Sequence, residues 1–374
     1  MLGNTFGRAF RLTACGESYG EALSAIVDGV PAGVALSEAD IQPELDRRRP
    51  GTTPIDSPRQ EADRVEVVAG VMEGFTTGAP VGLLIRNVDR HPVHVEQYRQ
   101  KRDLARPGHA EYTYRVKYGR YADWRGAGRA SGRETAARVA AGAVAKKCLA
   151  RHDIRVAGFV RECAGVECPP VSWEQVLAGT EKNIIRCPDP AAAELMIRKT
   201  LEAKDSGDTV GGVVEVRVRG VPAGVGEPVF DKLSATLAHG MLSIPACKGF
   251  ELGDGFRLAR MKGSEANDLP YFDAQRTVRY RSNHGGGIDG GISNGDELVM
   301  RVCVKPTSTI SIDQETIDMA RLANAHLPSI TRRDPTICAR FVPVAEAMAA
   351  LCVADGLLLY WGYERWCGAG GLGT

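Results

Sequence analysis

The chain has 374 residues, of which 44% are hydrophobic and 25% are charged, and its formal net charge is +1. These values are typical of a soluble globular protein that is long enough to bury a large core. The near-neutral charge argues against nucleic acid as a partner, because domains that bind nucleic acid usually carry a strongly basic face.

The cysteines and the apolar segments indicate a cytoplasmic protein with no metal site and no membrane span. The ten cysteines include no C-x-x-C pair and no regular spacing, which predicts reduced thiols. The N-terminus has no charged segment followed by an apolar run, so no signal peptide is expected. Residues 345–361 form an apolar stretch near the end of the chain, but Glu346, Asp355 and Gly356 interrupt it, and we expect no segment to cross a membrane.

The first predicted elements lead to a basic helix end. Residues 10–13 favour a strand and are followed by the turn sequence GESYG. Ser37 and Asp40 form a capping pattern that predicts a helix ending at Pro50. This helix carries three consecutive arginines, residues 47–49, near its C-terminus, where cations complement the helix dipole and are often simply solvated.

Two turn-strand units share one pattern. Residues 74–78 read GFTTG and precede a predicted strand at 81–86, while residues 291–295 read GISNG and precede a predicted strand at 298–304. The recurrence predicts two halves built on one plan, hence a pseudo-symmetric α/β sandwich. Further strands are predicted at 64–69, 154–160 and 213–218, with a helix at 190–204 between the last two. His91 and His94 lie in an H-x-x-H sequence with no third ligand nearby, so we expect a loop there and not a metal site.

Residues 106–147 hold the densest chemistry. Ser131 and Glu134 form a second capping pattern, which predicts that an alanine-rich helix starts near Gly132. Glycines and arginines before this helix would place a positive dipole end and guanidinium groups around an anion, with the imidazole of His109 beside it. A solvated surface turn is the alternative interpretation.

The last third of the chain adds a helix, a glycine-rich run and two polar segments. Pro228 opens a predicted helix with Phe230, Leu233, Leu237 and Met241 on one face, and His239 on it is expected to be a packed or interface histidine. The run at 282–295 has too many glycines for regular structure and permits either close backbone approach to a ligand or simple turns. Lys305, Pro306, Thr307, Ser308 and Thr309 offer a cation and hydroxyls. Asp334 precedes a proline, where a turn residue is common, and a helix follows at about 343–359.

These motifs carry a resemblance to a known family. RPGHAEYTYRVKYG followed by RETAARVAAGAVAKK resembles the chorismate synthase family, and GNTFGRAFRLTACGESYG, VDGVPAG, DRRRPGT, VPAGVGEPVFDKL, SNHGGGIDGGISNG, KPTSTI and RRDP with VPVAEAM fall in the family's order. The resemblance covers nearly the whole chain. It implies a single domain over residues 1–374, a large β-α-β sandwich, and a lyase that uses reduced FMN to eliminate phosphate from 5-enolpyruvylshikimate 3-phosphate and form chorismate.

The resemblance also implies the site residues and the partners. The catalytic candidates are His109 near flavin N1, Asp334 as the base through flavin N5, and Tyr19. The candidates for the cofactor site are Arg129, Ala130, Ser131, Pro245, Ala246, Gly290, Lys305, Pro306, Thr307, Ser308, Thr309 and Arg332, and those for the substrate are Ser18, Arg48, Arg49 and Arg133. A homotetramer with shared active sites is implied, with NADPH as a candidate external reductant and a separate flavin reductase as a candidate partner.

Four positions depart from the family pattern and keep other functions open. Tyr19 stands where the family has a histidine that assists phosphate departure, and Ala130, Gly132 and Arg333 replace serine, alanine and histidine. Arg333 would add charge beside Asp334, so we expect the neighbouring arginines to hold that carboxylate ionised. The alternatives are a paralogue that acts on a related phosphate, a flavin-binding protein with little lyase activity, and a flavin oxidoreductase.

Overall fold

A computed structural model describes residues 3–330 and 333–367. The strands, in chain order, are β1 Thr5–Phe6, β2 Arg11–Cys15, β3 Ala22–Asp28, β4 Val65–Ala69, β5 Val71–Met72, β6 Phe75–Thr76, β7 Val81–Arg86, β8 Arg155–Cys163, β9 Val166–Glu167, β10 Gly212–Arg219, β11 Cys247–Leu252, β12 Pro270–Phe272, β13 Val278–Tyr280, β14 Ile288–Asp289, β15 Ile292–Ser293, β16 Leu298–Val304, β17 Gln314–Asp318 and β18 Ala323–Leu327. The helices are α1 Glu38–Arg48, α2 Pro92–Gln100, α3 Glu111–Tyr118, α4 Thr135–Ala150, α5 Trp173–Gly179, α6 Pro190–Asp205, α7 Leu233–Leu242, α8 Gly263–Ala266 and α9 Cys338–Cys367.

Two antiparallel five-stranded sheets enclose a helical layer. The strand order is β1-β2-β3-β7-β4 in one sheet and β11-β16-β10-β8-β9 in the other. Helix α4 packs against the first sheet, α9 packs against the second, and the two helices pack against each other. One continuous set of buried apolar side chains runs through all three layers. The predicted β-α-β sandwich is confirmed.

The two sheets belong to halves with the same order of elements. The first half runs β2, β3, α1, β4, β7 and α4, and the second runs β8, β10, α7, β11, β16 and α9. In each half a V-P-A-G turn packs on the turn that precedes the fourth strand of that half, β7 or β16. The Thr76 hydroxyl donates to the Pro31 carbonyl oxygen at 2.6 Å, and the Ser293 hydroxyl donates to the Pro222 carbonyl oxygen at 2.6 Å. The two halves therefore share equivalent hydrogen bonds, which confirms the predicted internal repeat.

Small side chains allow the two central helices to approach closely. Helix α4 buries a series of alanines, and a Cβ added at Gly142 would lie 2.2 Å from the Cβ of Ala347 on α9. Alanine at position 142 would therefore clash, and glycine's cost to the helix is offset by this contact. Helix α9 is long and apolar enough to cross a membrane by length and composition alone, but 83% of its most apolar window is buried between the sheets.

A buried carboxylate connects the helical layer to the second sheet. Glu346 on α9 is 2% exposed and accepts hydrogen bonds from Arg47 at 2.6 and 2.9 Å, from Lys146 at 2.6 Å and from the Gly158 N–H at 2.8 Å. Burial works against ionisation, but the charges of Arg47 and Lys146 outweigh it and lower the pKa of Glu346 to about 2. Arg47 is thus a structural residue of the core.

Several predicted elements need correction. The H-x-x-H sequence begins helix α2 and is not a loop, and this helix escaped notice because it buries none of its residues. Phe230 is 90% exposed and precedes α7, which starts at Leu233. A 3₁₀ turn starts at Gly132 as expected, but the Ser131 hydroxyl accepts from the Arg133 N–H and not from that of Glu134. The Ser37 and Asp40 capping pattern is confirmed. All ten cysteines are free thiols.

Candidate active site

A cavity of about 520 Å³ lies where the two halves meet. The first half lines it with the end of α1 and the start of α4, and the second half with the segment after α7 and the start of α9. Two long connections complete the walls, residues 87–134 between β7 and α4 and residues 305–337 between β16 and α9. Equivalent parts of the repeat therefore converge on one site.

Hydrogen bonds join the two connections beside the cavity. The Lys305 ammonium donates to the Gly108 carbonyl oxygen and, at 3.1 Å, to the Ser308 hydroxyl. The Arg106 guanidinium donates to the Thr309 hydroxyl at 2.7 Å. The Lys305–Thr309 segment and the RPGH turn are thereby held together, although about 200 residues separate them in the sequence.

Two arginines at the helix ends share one buried carboxylate. Arg48 is 3% exposed and donates to Asp63 at 3.0 Å and to the Gly132 carbonyl oxygen at 2.8 Å. Arg133 also donates to Asp63 and lies 3.7 Å from Glu61. Both arginines line the cavity, as the sequence predicted for a site that binds an anion.

Burial and charge act against each other in this cluster. Burial disfavours the charged guanidinium and lowers the pKa of Arg48 to about 10, even though Asp63 favours the charged form. Burial also disfavours the Asp63 carboxylate, but Arg48 and Arg133 outweigh that effect and hold its pKa below the ordinary value. Arg48 and Asp63 are therefore both charged at neutral pH, and the cluster is suited to bind an anion.

Ser18 and Tyr19 lie in the cavity wall next to an arginine that the sequence did not single out. Tyr19 is 6% exposed, and its ring makes an edge contact with Tyr98 at 5.4 Å between centroids. Arg59 donates to the Ser18 hydroxyl at 3.1 Å and lies 5.4 Å from the centroid of the Tyr19 ring. Tyr19 is thus part of the site, as predicted, in a setting that includes a cation.

His109 reaches the cavity from the RPGH turn and is oriented by a carboxylate. Its Nδ1 atom lies 3.1 Å from a carboxylate oxygen of Glu111 and 2.8 Å from the Ala110 backbone nitrogen, and the tautomer decides whether Nδ1 donates to the first or accepts from the second. Burial tends to raise the pKa of Glu111, but the hydrogen bond with His109 and the charge of Arg106 lower it to about 2. The contacts of Nδ1 leave Nε2 as the nitrogen that can face a ligand.

Asp334 also lines the cavity, and its cation is not the one expected. Its carboxylate accepts from the Ser57 N–H at 2.8 Å and from Arg340 at 2.9 Å. The Arg333 guanidinium turns away and donates to the Ser311 hydroxyl and to the Lys204 carbonyl oxygen. The expectation that Arg333 pairs with Asp334 is therefore wrong, because these other acceptors hold its guanidinium.

The second half contributes a less polar wall. Pro245 and Ala246 line the cavity just past α7, and Ala246 has a left-handed backbone with φ of 69°. Ala130 and Ser131 lie in the opposite wall. The Thr307 hydroxyl, also in the wall, donates to the backbone oxygen of residue 334 at 2.8 Å. Apolar contacts, hydroxyls and a lysine are therefore gathered on one side.

Four predicted site residues do not line this cavity. Arg129 donates to the carbonyl oxygens of Gly16 and Ala14, both at 3.1 Å, and so points into the first sheet. Arg49 is directed outward, with its Nε atom 3.6 Å from Asp46, and Pro306 is also absent from the lining.

The fourth residue, Gly290, lies at the wrong end of a helix. The adjacent Gly291 carbonyl oxygen accepts from Leu233 N–H at the start of α7, whereas the cavity is at the other end. Ten residues of helix span about 15 Å. Arg332 lies outside the described residues.

Three arginines in the lining were missed in the sequence. Arg59 has no local pattern that marks it, since its carboxylate and hydroxyl partners form a cluster only in the fold. Arg106 belongs to the RPGH turn and could have been included with His109. Arg340 lies in the first turn of α9, where the positive dipole end disfavours a cation, so its position was a detectable signal. Within residues 3–330 and 333–367, no group of three or more histidine, cysteine or acidic residues could hold a metal.

Comparisons with known proteins agree with this architecture. The family model for chorismate synthase matches residues 10–358. A chorismate synthase of Acetivibrio thermocellus is 52% identical, with 97% of each chain covered, and one of Methanosarcina barkeri is 50% identical, with 96% of this chain and 97% of the relative covered. A crystal structure of chorismate synthase matches with a TM-score of 0.74 and 32% identity over 94% of this chain and 92% of the other. The chain therefore belongs to the chorismate synthase family.

Proposed function

We propose that this chain is a lyase that converts 5-enolpyruvylshikimate 3-phosphate into chorismate and phosphate by a 1,4-elimination without net redox change. The observation that carries the proposal is one cavity, at the junction of the two halves, that both buried arginines and Asp334 line, in a chain that the family model matches from residue 10 to residue 358. A substrate with two carboxylates and a phosphate requires several cations, and a proton must be removed from carbon.

The substrate's anionic groups would bind at the arginine cluster of the first half. Arg48 and Arg133 are the principal ligands, and Ser18 adds a hydroxyl beside them. Their guanidinium groups are already positioned by Asp63 and Glu61, so little side-chain entropy is lost when substrate binds. Arg49 points away from the cavity of its own chain and is not assigned to that site.

The lining also fits the reduced FMN on which the family depends. The Nε atom of Arg340 is buried without a hydrogen-bond partner among the described residues, and cations and hydroxyls of the second half lie beside an apolar surface. We assign Ala130, Ser131, Pro245, Ala246, Lys305, Thr307, Ser308 and Thr309 to hold the cofactor, with Arg332 retained as a prediction. When bound, reduced FMN supplies electron density for an elimination that side chains cannot achieve alone.

His109 and Asp334 would hold or transfer protons at the site. Glu111 and the Ala110 N–H fix the ring of His109, so its free nitrogen can hold or share a proton at the cofactor site. Asp334 is held by Ser57 and Arg340 and serves as the base. General acid and base groups of this kind contribute roughly 10²- to 10⁴-fold to rate.

The experiment is an anaerobic assay with photoreduced FMN and the phosphorylated substrate, scored by release of phosphate and formation of chorismate. We expect both products in equal amounts. NADPH consumption without phosphate release would support a flavin oxidoreductase instead. Flavin binding with no product would support a non-catalytic protein.

A paralogue that acts on a related cyclic phosphate is the second candidate, and Tyr19 favours it. A phenol is a neutral acid and carries no positive charge, and its reference pKa of about 10, against about 6.5 for imidazolium, makes it the weaker proton donor. Tyr19 is in the cavity wall, where the family has histidine. Turnover of another phosphate at a higher kcat/KM than the family's substrate would establish this alternative.

We propose a cytoplasmic homotetramer built from chains that each form one domain. Gly290 is separated from its own cavity by the length of α7, so a flavin contact from this glycine would have to be made to the cavity of a neighbouring subunit. Ile26 on β3 and Val68 on β4, two strands of the first sheet, are 51% and 60% exposed. They offer apolar area to a symmetric contact between subunits. Light scattering at micromolar concentration should report four chains, and a stable monomer would contradict the assembly.

The proposal also requires a source of electrons for the reduction of FMN. NADPH is a candidate external reductant, and a separate flavin reductase is a candidate partner. Anaerobic mixing of the protein with FMN and NADPH should leave the flavin oxidised if a separate reductase is needed. Bleaching of the flavin at a rate that matches turnover would show that the chain reduces its own cofactor.

A further inference from the structure

The wall around Tyr19 holds the phenol in one position. Tyr98 contacts its ring edge, and the Arg59 guanidinium lies 5.4 Å from its centroid. On another side Gly126 approaches so closely that an added Cβ would lie 2.7 Å from a ring carbon of Tyr19. The side chain is therefore packed by its neighbours, and the histidine of the family has been replaced without leaving an open space.

Arg59 is oriented by two partners and keeps one donor. Its Nε and Nη2 atoms donate to Glu61 at 3.1 and 2.7 Å, while Nη1 and Nη2 donate to the Ser18 hydroxyl and carbonyl oxygens at 3.1 and 3.0 Å. A guanidinium has five N–H groups, and these bonds use four of them. The remaining N–H is on Nη1, the atom beside the Ser18 hydroxyl in the cavity wall.

The Ser18 hydroxyl is oriented by the same contact. Because its oxygen accepts from Arg59, its own hydrogen must point elsewhere and can be donated to a ligand. Ser18 and Arg59 both line the cavity, so two hydrogen-bond donors lie together in its wall, next to the ring of Tyr19.

The local charge count favours an anion with more than one charge. Three arginines share two carboxylates here: Arg59 and Arg133 flank Glu61 at 2.7 and 3.7 Å, while Arg48 and Arg133 both bond to Asp63. One positive charge is therefore in excess within a cluster that is mostly buried. Such a charge interacts strongly with an anion because water screens it poorly.

We propose that Arg59 binds the departing phosphate group of the substrate and supplies the positive charge that Tyr19 cannot carry. Tyr19 and Arg59 then act as a coupled pair, in which the phenol donates a hydrogen bond and the guanidinium stabilises charge. This inference rests on the proposed function, which identifies the anion as a phosphate ester.

The proposed step balances without a proton from Arg59. The C–O bond to phosphate breaks, and its electron pair leaves on the phosphate oxygen. Arg59 keeps all its protons and stabilises the developing charge through a hydrogen bond and electrostatic attraction. If position 19 supplied a second cation near the leaving oxygen, the contribution of Arg59 to phosphate binding would be smaller. The coupling between positions 19 and 59 therefore has a sign that can be measured.

The test is a double-mutant cycle with native protein, Arg59→Gln, Tyr19→His and the double variant. The substrate dissociation constant is measured by equilibrium titration at pH 6 with oxidised FMN present, where imidazole is largely protonated. In the native background Arg59→Gln should weaken binding by roughly 10- to 100-fold, as expected for a lost hydrogen bond to a charged group. In the Tyr19→His background the same change should weaken it by less than about 5-fold, because the imidazolium supplies a cation.

Arg86→Gln is the matched control, since Arg86 pairs with Glu66 at 2.8 Å on the exposed end of β7 and is outside the cavity. It should leave the dissociation constant unchanged. Arg59→Lys guards against misfolding, because it retains a cation beside Glu61 but lacks the forked donors; it should still weaken binding by about 5-fold or more.

Equal losses in both backgrounds, or no loss in the native background, would overturn the coupling. If Arg59→Gln does not fold, native affinity in Arg59→Lys would overturn it. Phosphate release by the native protein is scored separately. Absence of turnover with the predicted pattern of affinities would defeat the proposed function and leave the Arg59 inference standing.

Discussion

At the end of α1 the first half places Arg48, buried and bonded to Asp63, whereas just past the equivalent helix α7 the second half places Pro245 and Ala246. The same contrast recurs at the helices that follow. Near the start of α4 lies Arg133, and near the start of α9 lie Asp334 and Arg340 as a pair. The repeated fold therefore supplies equivalent helix ends that carry different residues. Under the proposed assignments, the first half binds the substrate's anionic groups, and the second half supplies the base and most of the cofactor contacts, with Ala130, Ser131 and His109 of the first half also at the cofactor site.

Two adjacent arginines of α1 have different surroundings. Arg47 and Arg48 are neighbours on the last turn of α1, but Arg47 bonds to Glu346 in the helical layer while Arg48 faces the cavity. The helix turns successive side chains by about 100°, so one arginine stabilises the fold and the next is available to the substrate.

The largest effect is expected from removing the charge of Asp334, the proposed base. Asp334→Asn retains an oxygen that can accept from Ser57 and Arg340 but cannot take a proton at neutral pH. We expect kcat to fall by roughly 10²- to 10⁴-fold, with a smaller change in substrate affinity. Steady-state phosphate release measures both. Asp231→Asn, which alters an exposed pair with Arg8, is the control and should be silent.

Removing the buried partner of Arg47 should lower the stability of the protein and leave substrate binding unchanged. Glu346→Gln leaves Arg47 and Lys146 without a buried counter-charge, and we expect the unfolding free energy to fall by about 3 to 5 kcal/mol. Glu44 contacts the same two cations at 2.8 and 2.9 Å but is more exposed, so Glu44→Gln should cost about 1 kcal/mol or less. Denaturant titration distinguishes the two variants.

The same carboxylate predicts a pH dependence. Its pKa is about 2 in the folded protein against 4.5 when unperturbed, so its stabilisation is fully present above about pH 4.5 and is lost as the pH falls towards 2. The contribution at neutral pH is about 3 kcal/mol. Between pH 5 and pH 2 the native protein should lose more stability than Glu346→Gln, and parallel curves would contradict this assignment.

A glycine of the first half tests the packing around Tyr19. Gly126→Ala would place a methyl group 2.7 Å from the Tyr19 ring in a backbone with φ of 57°, and we expect a loss of about 1 to 3 kcal/mol in unfolding free energy. Gly132→Ala is the matched comparison, because nothing lies within 4 Å of its added Cβ and its φ is ordinary. Thermal unfolding should show a clearly lower midpoint for the first variant alone.

Replacing Ala246, a residue of the second half with a left-handed backbone, should have the smallest effect. Ala246 adopts φ of 69°, so Ala246→Gly relieves left-handed strain but increases the freedom of the unfolded chain. These effects oppose each other, and the unfolding free energy should change by less than about 1 kcal/mol. A loss of several kcal/mol would show that the Ala246 methyl group packs in the cavity wall more tightly than its position indicates.

Much of the fold could be predicted from the sequence, because strands with strong apolar periodicity follow glycine turns. Residues 81–86 and 298–304 were predicted with the bounds that the structure has, and the repeat of their turns indicated two related halves. Helix α2 was missed because it buries no residue and so shows no amphipathic period. Local patterns fix local elements, and here they also revealed the symmetry.

The site was less predictable, because its contacts join distant residues. His109 was singled out from the RPGH turn beside the predicted anion site, Asp334 was found through the family resemblance, and both line the cavity. Arg59 and the pairing of Arg340 with Asp334 were not foreseen, since partners such as Glu61 and Ser57 have no spacing that marks them. Arg333 was placed beside Asp334 on sequence adjacency alone, although its side chain is held elsewhere.

The division between the halves is tested most directly by one cross-titration. FMN and substrate are titrated separately against native protein, Arg48→Gln from the first half and Lys305→Gln from the second, since both side chains line the cavity. The account predicts that Arg48→Gln weakens substrate by about 10-fold or more and leaves FMN within about 2-fold, while Lys305→Gln does the reverse. Equal weakening of both ligands by both variants would contradict the division of roles between the two halves.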